Sequence, residues 1–97
     1  MNLTDYQQSI KQFVRYAPTN ERPYLALGLV AEVGEVSGKF AKRMRGDAVP
    51  DADLIAELGD VLWYISAMCR EIGVPLAVVA NTNIKKLKHR KKYGKSI

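Results

Sequence analysis

An all-α fold is predicted from three features of the chain. Four segments are bounded by residues that start and stop helices, the apolar residues between them recur at helical spacing, and no segment reads convincingly as a strand. Thr4 followed by Gln7 has the capping-box spacing and is expected to open a first helix that Pro18 closes. Pro23 suits a first helical position, and the second helix is expected from about Tyr24 to Arg45, with Gly46 just past its end. Asp51 or Asp53 opens a third helix running to about Ile72, where Gly73 stops it. Pro75 then begins a fourth, which continues through a basic stretch toward Gly94. With no repeat and no long linker, residues 1–97 are expected to form a single domain, a four-helix-bundle-like protomer around an antiparallel central hairpin.

The third segment is apolar on more than one side. Leu54, Leu58, Val61, Ile65, Met68 and Ile72 form one stripe, and Ile55, Leu62 and Cys69 widen it. A surface this broad contacts more than one neighbour, and a chain of 97 residues offers few. A homodimer or a dimer of dimers is therefore expected. Cys69 is the only cysteine, which excludes an internal disulfide and fits a reducing compartment. The first residues carry no basic stretch followed by an apolar one, and no apolar run approaches the ~18 residues of a membrane span. A cytoplasmic protein without a membrane partner is the expectation.

The net charge of +5 hides an asymmetry. Up to Glu71 the chain carries all ten acidic residues against eight Lys and Arg, a net −2, and the seven cations from Lys85 to Lys95 add +7. A tail of this kind attracts phosphate, whether on a nucleotide or on a nucleic acid.

Two short acidic pairs lie in the apolar middle, Glu32-Val-Gly-Glu35 and Glu57-Leu-Gly-Asp60. Residues three apart share a helix face, so each pair is a two-pronged oxygen clamp. Only Glu35 has a cation at helical spacing, Lys39. A short link from about Gly46 to Pro50 makes the second and third helices antiparallel, so residues equally far from the turn lie side by side. Glu35 with Glu57, and Glu32 with Asp60, each average to position 46, within about two residues (~3 Å) of the turn's centre. Four carboxylates are thus expected to converge. Oxygen donors without His or Cys suit a hard cation, Mg²⁺ or Mn²⁺ rather than zinc, and Mg²⁺ commonly shares its coordination with substrate phosphates. Either pair alone is also an ordinary solvated helix face. The mirror relation about one turn is what favours a site. Gly34 and Gly59, inside the clamps, suggest a closely approached backbone there, and Gly28 and Gly38 are read as sharing in close helix packing.

Glu-x-x-Glu, a gap of 21 residues and then Glu-x-x-Asp, continued as Glu57-Leu-Gly-Asp60-Val-Leu-Trp-Tyr64, resembles the signature of the MazG-like all-α nucleoside triphosphate pyrophosphohydrolases. The resemblance extends from Tyr24 to about Gly94 and implies Mg²⁺-dependent cleavage of a nucleoside triphosphate to the monophosphate and pyrophosphate. It implies Glu32, Glu35, Glu57 and Asp60 as metal ligands, and Lys86 and Arg90 as phosphate-binding residues. Asn83 and Tyr64 are implied as further substrate contacts. Where many relatives double the acidic residue before each clamp, this chain has Ala31 and Ala56. Of the remaining aromatics, Phe13, Tyr16 and Tyr24 are read first as core and second as base-stacking residues. Trp63 and Tyr64 are expected to divide, Trp63 to the core and Tyr64 to the site. The competing function is a small basic helical dimer binding nucleic-acid backbone through its tail, which leaves the four carboxylates without a role. A regulatory or scaffold protein that keeps the fold without activity is a third class, disfavoured by the intact carboxylate set.

Overall fold

The computed structural model describes residues 1–15 and 21–94, which form four α-helices and no strand. The first helix, α1 (Leu3–Ser9), continues as a 3₁₀ turn over Ile10–Phe13. Its N-cap is Asn2, whose side-chain oxygen accepts from the Asp5 amide at 2.8 Å. Thr4 is thus inside the helix, and the expected capping box is not formed; Asn outranks Thr at an N-cap. Gln7 caps a different helix: its amide nitrogen donates to the Val74 carbonyl at 3.0 Å, and its oxygen accepts from the Leu76 amide at 2.7 Å. The Ser9 carbonyl accepts from the Gln12 side chain at 3.1 Å, and Val14 is extended, so the helical run ends before the segment containing Tyr16 and Pro18. Those two residues lie outside the described part of the chain.

The long helices are α2 (Glu21–Met44) and α3 (Asp51–Glu71), which pack along each other as the expected antiparallel hairpin. Gly46 adopts φ 93°, the left-handed conformation that the end of α2 needs. The Asp47 amide donates to the Lys42 carbonyl and the Gly46 amide to Arg43, both at 3.0 Å, the paired bonds that satisfy the last carbonyls of a helix. Arg43 then clasps the turn. Its guanidinium donates to the Val49 carbonyl at 2.9 and 2.6 Å and to Asp51, the first residue of α3, at 2.7 Å.

Gly73, at φ 72°, ends α3 with the same bond pair, Val74 to Cys69 and Gly73 to Arg70. Pro75 follows as the N-cap of α4 (Leu76–Lys92), which leaves at 103° to α3. With Gln7 holding its first amide, α4 lies against α1 and not along the hairpin. The closed four-helix bundle expected of one protomer is therefore not formed. The radius of gyration, 15.9 Å, exceeds the ~13 Å of a compact chain of this size.

The core is correspondingly small. Ile10 of the 3₁₀ turn, Leu25 of α2 and Ala67 of α3 are fully buried together, with Tyr6, Trp63, Tyr64 and Met68 packed on them. Cys69 is buried as expected, and burial pushes its thiol pKa up, which makes it inert. The broad apolar face of α3 is only partly covered: Leu54 is buried, but Ile55 is 68% and Ile72 62% exposed, and on α2 Leu27 and Val30 exceed 70%. No single described helix is long and apolar enough to cross a membrane.

Of the four glycines on the hairpin helices flagged for close packing, only Gly28 is closely approached. A Cβ there would meet the Tyr64 ring, whereas those added at Gly34, Gly38 and Gly59 meet nothing within 4 Å. Gly28→Ala should displace Tyr64 and lower stability by about 1–3 kcal/mol, the usual range for overpacking. Gly34→Ala, in open space on the same helix, should raise it by roughly 0.5–1 kcal/mol. Denaturant melts of the two variants test the contrast, and equal effects would refute it.

Candidate functional site

The hairpin register brings three of the four clamp residues together. Glu32 from α2 and Glu57 and Asp60 from α3 each offer a carboxylate oxygen, all within 4.8 Å of one another. Their spacing follows from the helix: Glu57 and Asp60 are one turn apart on a single face, and the antiparallel partner presents Glu32 beside them. Glu35 does not join. It is exposed, one turn nearer the hairpin's end, where moving inward would add a fourth like charge to three already close. Among the described residues it also forms no ion pair with Lys39; the ion pairs there are Arg43–Asp51 and Arg45–Asp47, both near the turn.

The electrostatics register this crowding. Burial, then the charges of Asp60, Glu57 and Glu35, raise the Glu32 pKa above its ordinary value of 4.5. Asp60 also helps raise the Tyr6 pKa, after burial. Three oxygen donors with no His or Cys among them fit a hard divalent cation. About 2.9–4.2 Å separates ligands around an octahedral Mg²⁺ with 2.0–2.1 Å bonds, so small side-chain rotations suffice to close the set.

Beside the carboxylates opens a cavity of about 330 Å³ lined by Phe13, Arg15, Tyr24, Glu32, Asp60, Trp63 and Tyr64. Its aromatic wall is built around Tyr64. The Tyr64 hydroxyl is hydrogen-bonded to Tyr24, and with burial and the nearby Glu32 and Asp60 charges this pushes its pKa up to about 12. The Tyr24 and Tyr64 ring centroids are 6.2 Å apart, and Trp63 meets Tyr64 edge-on at 5.1 Å. Trp63 and Tyr64 were expected to divide between core and site. Instead both pack on the core and both line the cavity, because rings this large reach past the edge of their helix face. Phe13 and Tyr24, read first as core, are 58% and 43% exposed on the cavity's rim.

The residues implied on α4 are elsewhere. Asn83 and Lys86 line a separate apolar groove with Val74, Val78, Val79 and Thr82, and no α4 residue lines the carboxylate cavity. The cation at the cavity is Arg15, which no motif or spacing in the sequence singles out. It is brought there by Ile10, five residues earlier, whose burial against Leu25 and Ala67 fixes the segment.

Residues 21–94 match the family model described as the MazG nucleotide pyrophosphohydrolase domain. The chain is also 41% identical, over 76 residues, to the Gene 37 protein of Mycobacterium phage L5, an alignment covering 73% of this chain and 67% of that protein. No solved structure matches significantly.

The Glu32 shift has a definite consequence for stability. A carboxylate whose folded pKa is raised binds its proton more tightly when folded, so its contribution to stability falls as pH rises through 4.5 to the raised value. At neutral pH, Glu32→Gln should therefore raise the melting temperature of the metal-free protein by about 1–4 °C, from ~0.2–0.5 kcal/mol of relieved like-charge repulsion. Added Mg²⁺ should stabilise the unsubstituted protein at pH 7, with the gain shrinking as acid protonates the cluster, and should do little for Glu32→Gln. Thermal melts across pH with and without Mg²⁺ measure both; a Glu32→Gln protein less stable than the parent would overturn this account.

Proposed function

Because the chain belongs to the MazG nucleotide pyrophosphohydrolase family, we propose that it hydrolyses a nucleoside triphosphate to the monophosphate and pyrophosphate, with Mg²⁺ or Mn²⁺ held by the hairpin carboxylates. The observation that carries this reading is the convergence of Glu32, Glu57 and Asp60 at the edge of an aromatic cavity large enough for a nucleotide. Glu35, one turn away and adding its charge to Glu32, is the reserve ligand. A divalent ion there supplies positive charge against the phosphate oxygens and makes a nearby water more acidic. The carboxylates would hold that ion, and one of them would accept the proton of the water whose oxygen bonds to the phosphorus under attack. Tyr24 and Tyr64 give the base or sugar a flat apolar wall, and the bond between the first and second phosphates breaks with pyrophosphate leaving. A deoxynucleotide is the preferred substrate class by family analogy, and removal of non-canonical nucleotides and control of pool size are the two roles it would serve.

Lys86 and Arg90 are the phosphate-binding residues of this reading and Asn83 a further substrate contact, and we assign all three to the site of a second copy of the chain. Two observations support that. They line no part of the carboxylate cavity of their own chain, and the apolar residues left exposed on α2 and α3 give a second copy a surface to bury. A homodimer, or a dimer of dimers, thus belongs to the proposal.

Incubation with a panel of nucleoside triphosphates and Mg²⁺, scored for monophosphate and pyrophosphate, tests the activity. Glu57→Gln and Asp60→Asn should each lower turnover by at least ~10²-fold with helical content unchanged. No turnover of any triphosphate would remove the enzyme reading. For the shared site, mixing Glu57→Gln chains with Lys86→Ala/Arg90→Ala chains should restore part of the activity that each lacks alone, since one composite site regains both halves.

One observation favours a second reading. Lys85, Lys88 and Lys92 lie along one exposed face of α4, with the rings of His89 and Tyr93 tilted against each other at 4.6 Å beside them, an arrangement suited to nucleic-acid backbone and bases. Strongly salt-dependent binding of single-stranded DNA that survives Asp60→Asn, in a protein without turnover, would favour it.

A further inference from the structure

The cavity has a wall that the family match does not include. Residues 21–94 carry the match, yet Phe13 and Arg15 line the same cavity as Glu32, Asp60 and Tyr64. We propose that this N-terminal segment completes the nucleotide site, Phe13 packing on the base and Arg15 pairing with a phosphate oxygen. The inference rests on the nucleotide reading of the cavity and adds to it which residues outside the matched segment recognise the two ends of the ligand.

Three observations point this way. The placement is fixed, because Ile10 is buried to 2% exposure against Leu25 and Ala67, and the 3₁₀ turn carries Phe13 onward from it to the cavity rim. Phe13 is 58% exposed, although a large apolar side chain three residues from a core anchor could have turned inward. The Tyr24 ring, 43% exposed and held at Tyr64, lines the same cavity, so two half-exposed aromatic rings are available there to a planar ring. Arg15 is the third observation. Among the described residues it is the only cation lining this cavity, which two carboxylates also line, and it forms no ion pair. A guanidinium in that position is matched in charge and geometry to a phosphate group, which it can grip with two parallel hydrogen bonds.

Trp63 provides a direct readout, being the chain's only tryptophan and part of the cavity lining. Its fluorescence should change on titration with the α,β-imido analogues of dUTP, dCTP, dATP and dGTP, which resist cleavage at the reacting bond. Arg15→Gln should weaken binding of the best analogue at least ~10-fold while leaving binding of the corresponding nucleoside unchanged, and Arg15→Lys should recover part of the loss. Phe13→Ala should weaken nucleoside and triphosphate analogue by the same factor. In turnover both variants should raise KM far more than they lower kcat. Lys11→Gln is the matched control, since Lys11 sits four residues earlier but lines a different cleft, with Gln8 and Arg70. It should bind as the parent does. Both altered side chains are exposed, so melting temperatures should stay within a degree or two of the parent.

The outcomes separate the two claims. A parent protein that neither hydrolyses a triphosphate nor changes Trp63 fluorescence with any analogue overturns the nucleotide reading itself. A parent that does both, with Arg15→Gln and Phe13→Ala unchanged, leaves the enzyme standing and overturns this inference. Equal losses for Arg15→Gln and Lys11→Gln would reduce Arg15 to a contribution of overall charge and also overturn it.

Discussion

The register of the α2–α3 hairpin is the constraint on which the rest depends. Arg43 ties the end of α2 to the Val49 carbonyl and to Asp51, while Gly46 closes the last carbonyls of α2, so the two helices have little freedom to slide. A slide of one residue along either helix would move each side chain by 1.5 Å and turn it by about 100° away from its present face. Glu32, Glu57 and Asp60 would then separate. Left to themselves they would prefer to, because three like charges within 4.8 Å repel one another, and burial together with those charges raises the Glu32 pKa above its ordinary value. The hairpin thus imposes an arrangement that local electrostatics opposes, the pattern of a site whose residues are kept for chemistry and not for stability.

The acidic site was legible in the sequence for a geometric reason. In an antiparallel hairpin with a short turn, distance from the turn maps directly onto position, so two clamps with the same midpoint must be neighbours. The four helices and the stops at Gly46 and Gly73 were legible for a similar reason, since the end of a helix imposes local demands that glycine meets. Glu35 shows the limit of such arithmetic: the register brings its backbone close, but whether its side chain turns inward depends on the charges already there.

What could not be read depends on contacts between residues far apart in the chain. Thr4 and Gln7 have capping-box spacing, yet Asn2 takes the cap and Gln7 bonds to Val74 and Leu76, 67 and 69 residues away. That one side chain helps set the direction of α4, and with it whether Lys86 and Arg90 face their own carboxylates. Arg15 belongs to the same class. No periodicity marks it, and only the burial of Ile10 on Leu25 and Ala67 shows where it lies. Gly34 and Gly59 mislead in the opposite sense, since their position inside the clamps suggested a crowded backbone that the protomer does not have.

The carboxylate and aromatic halves of the cavity are parts of one rigid piece. Asp60 and Tyr64 are one turn apart on α3, and Tyr64 is fixed from both sides, by its bond to Tyr24 and by a ring position that only a glycine at residue 28 allows. Tyr24 in turn precedes Leu25, which is completely buried in the core. A shift of the aromatic wall would therefore disturb the core and the carboxylate-bearing side of α3 together, and this half of the cavity is poorly placed to vary. Phe13 and Arg15 stand differently. Their side chains are exposed, their segment is anchored through Tyr6, Gln7 and Ile10, and neither takes part in the hairpin. Side chains can change there without altering the register that holds the carboxylates, so the physical division of the cavity is between a fixed half on the hairpin and an adjustable rim on the N-terminal segment.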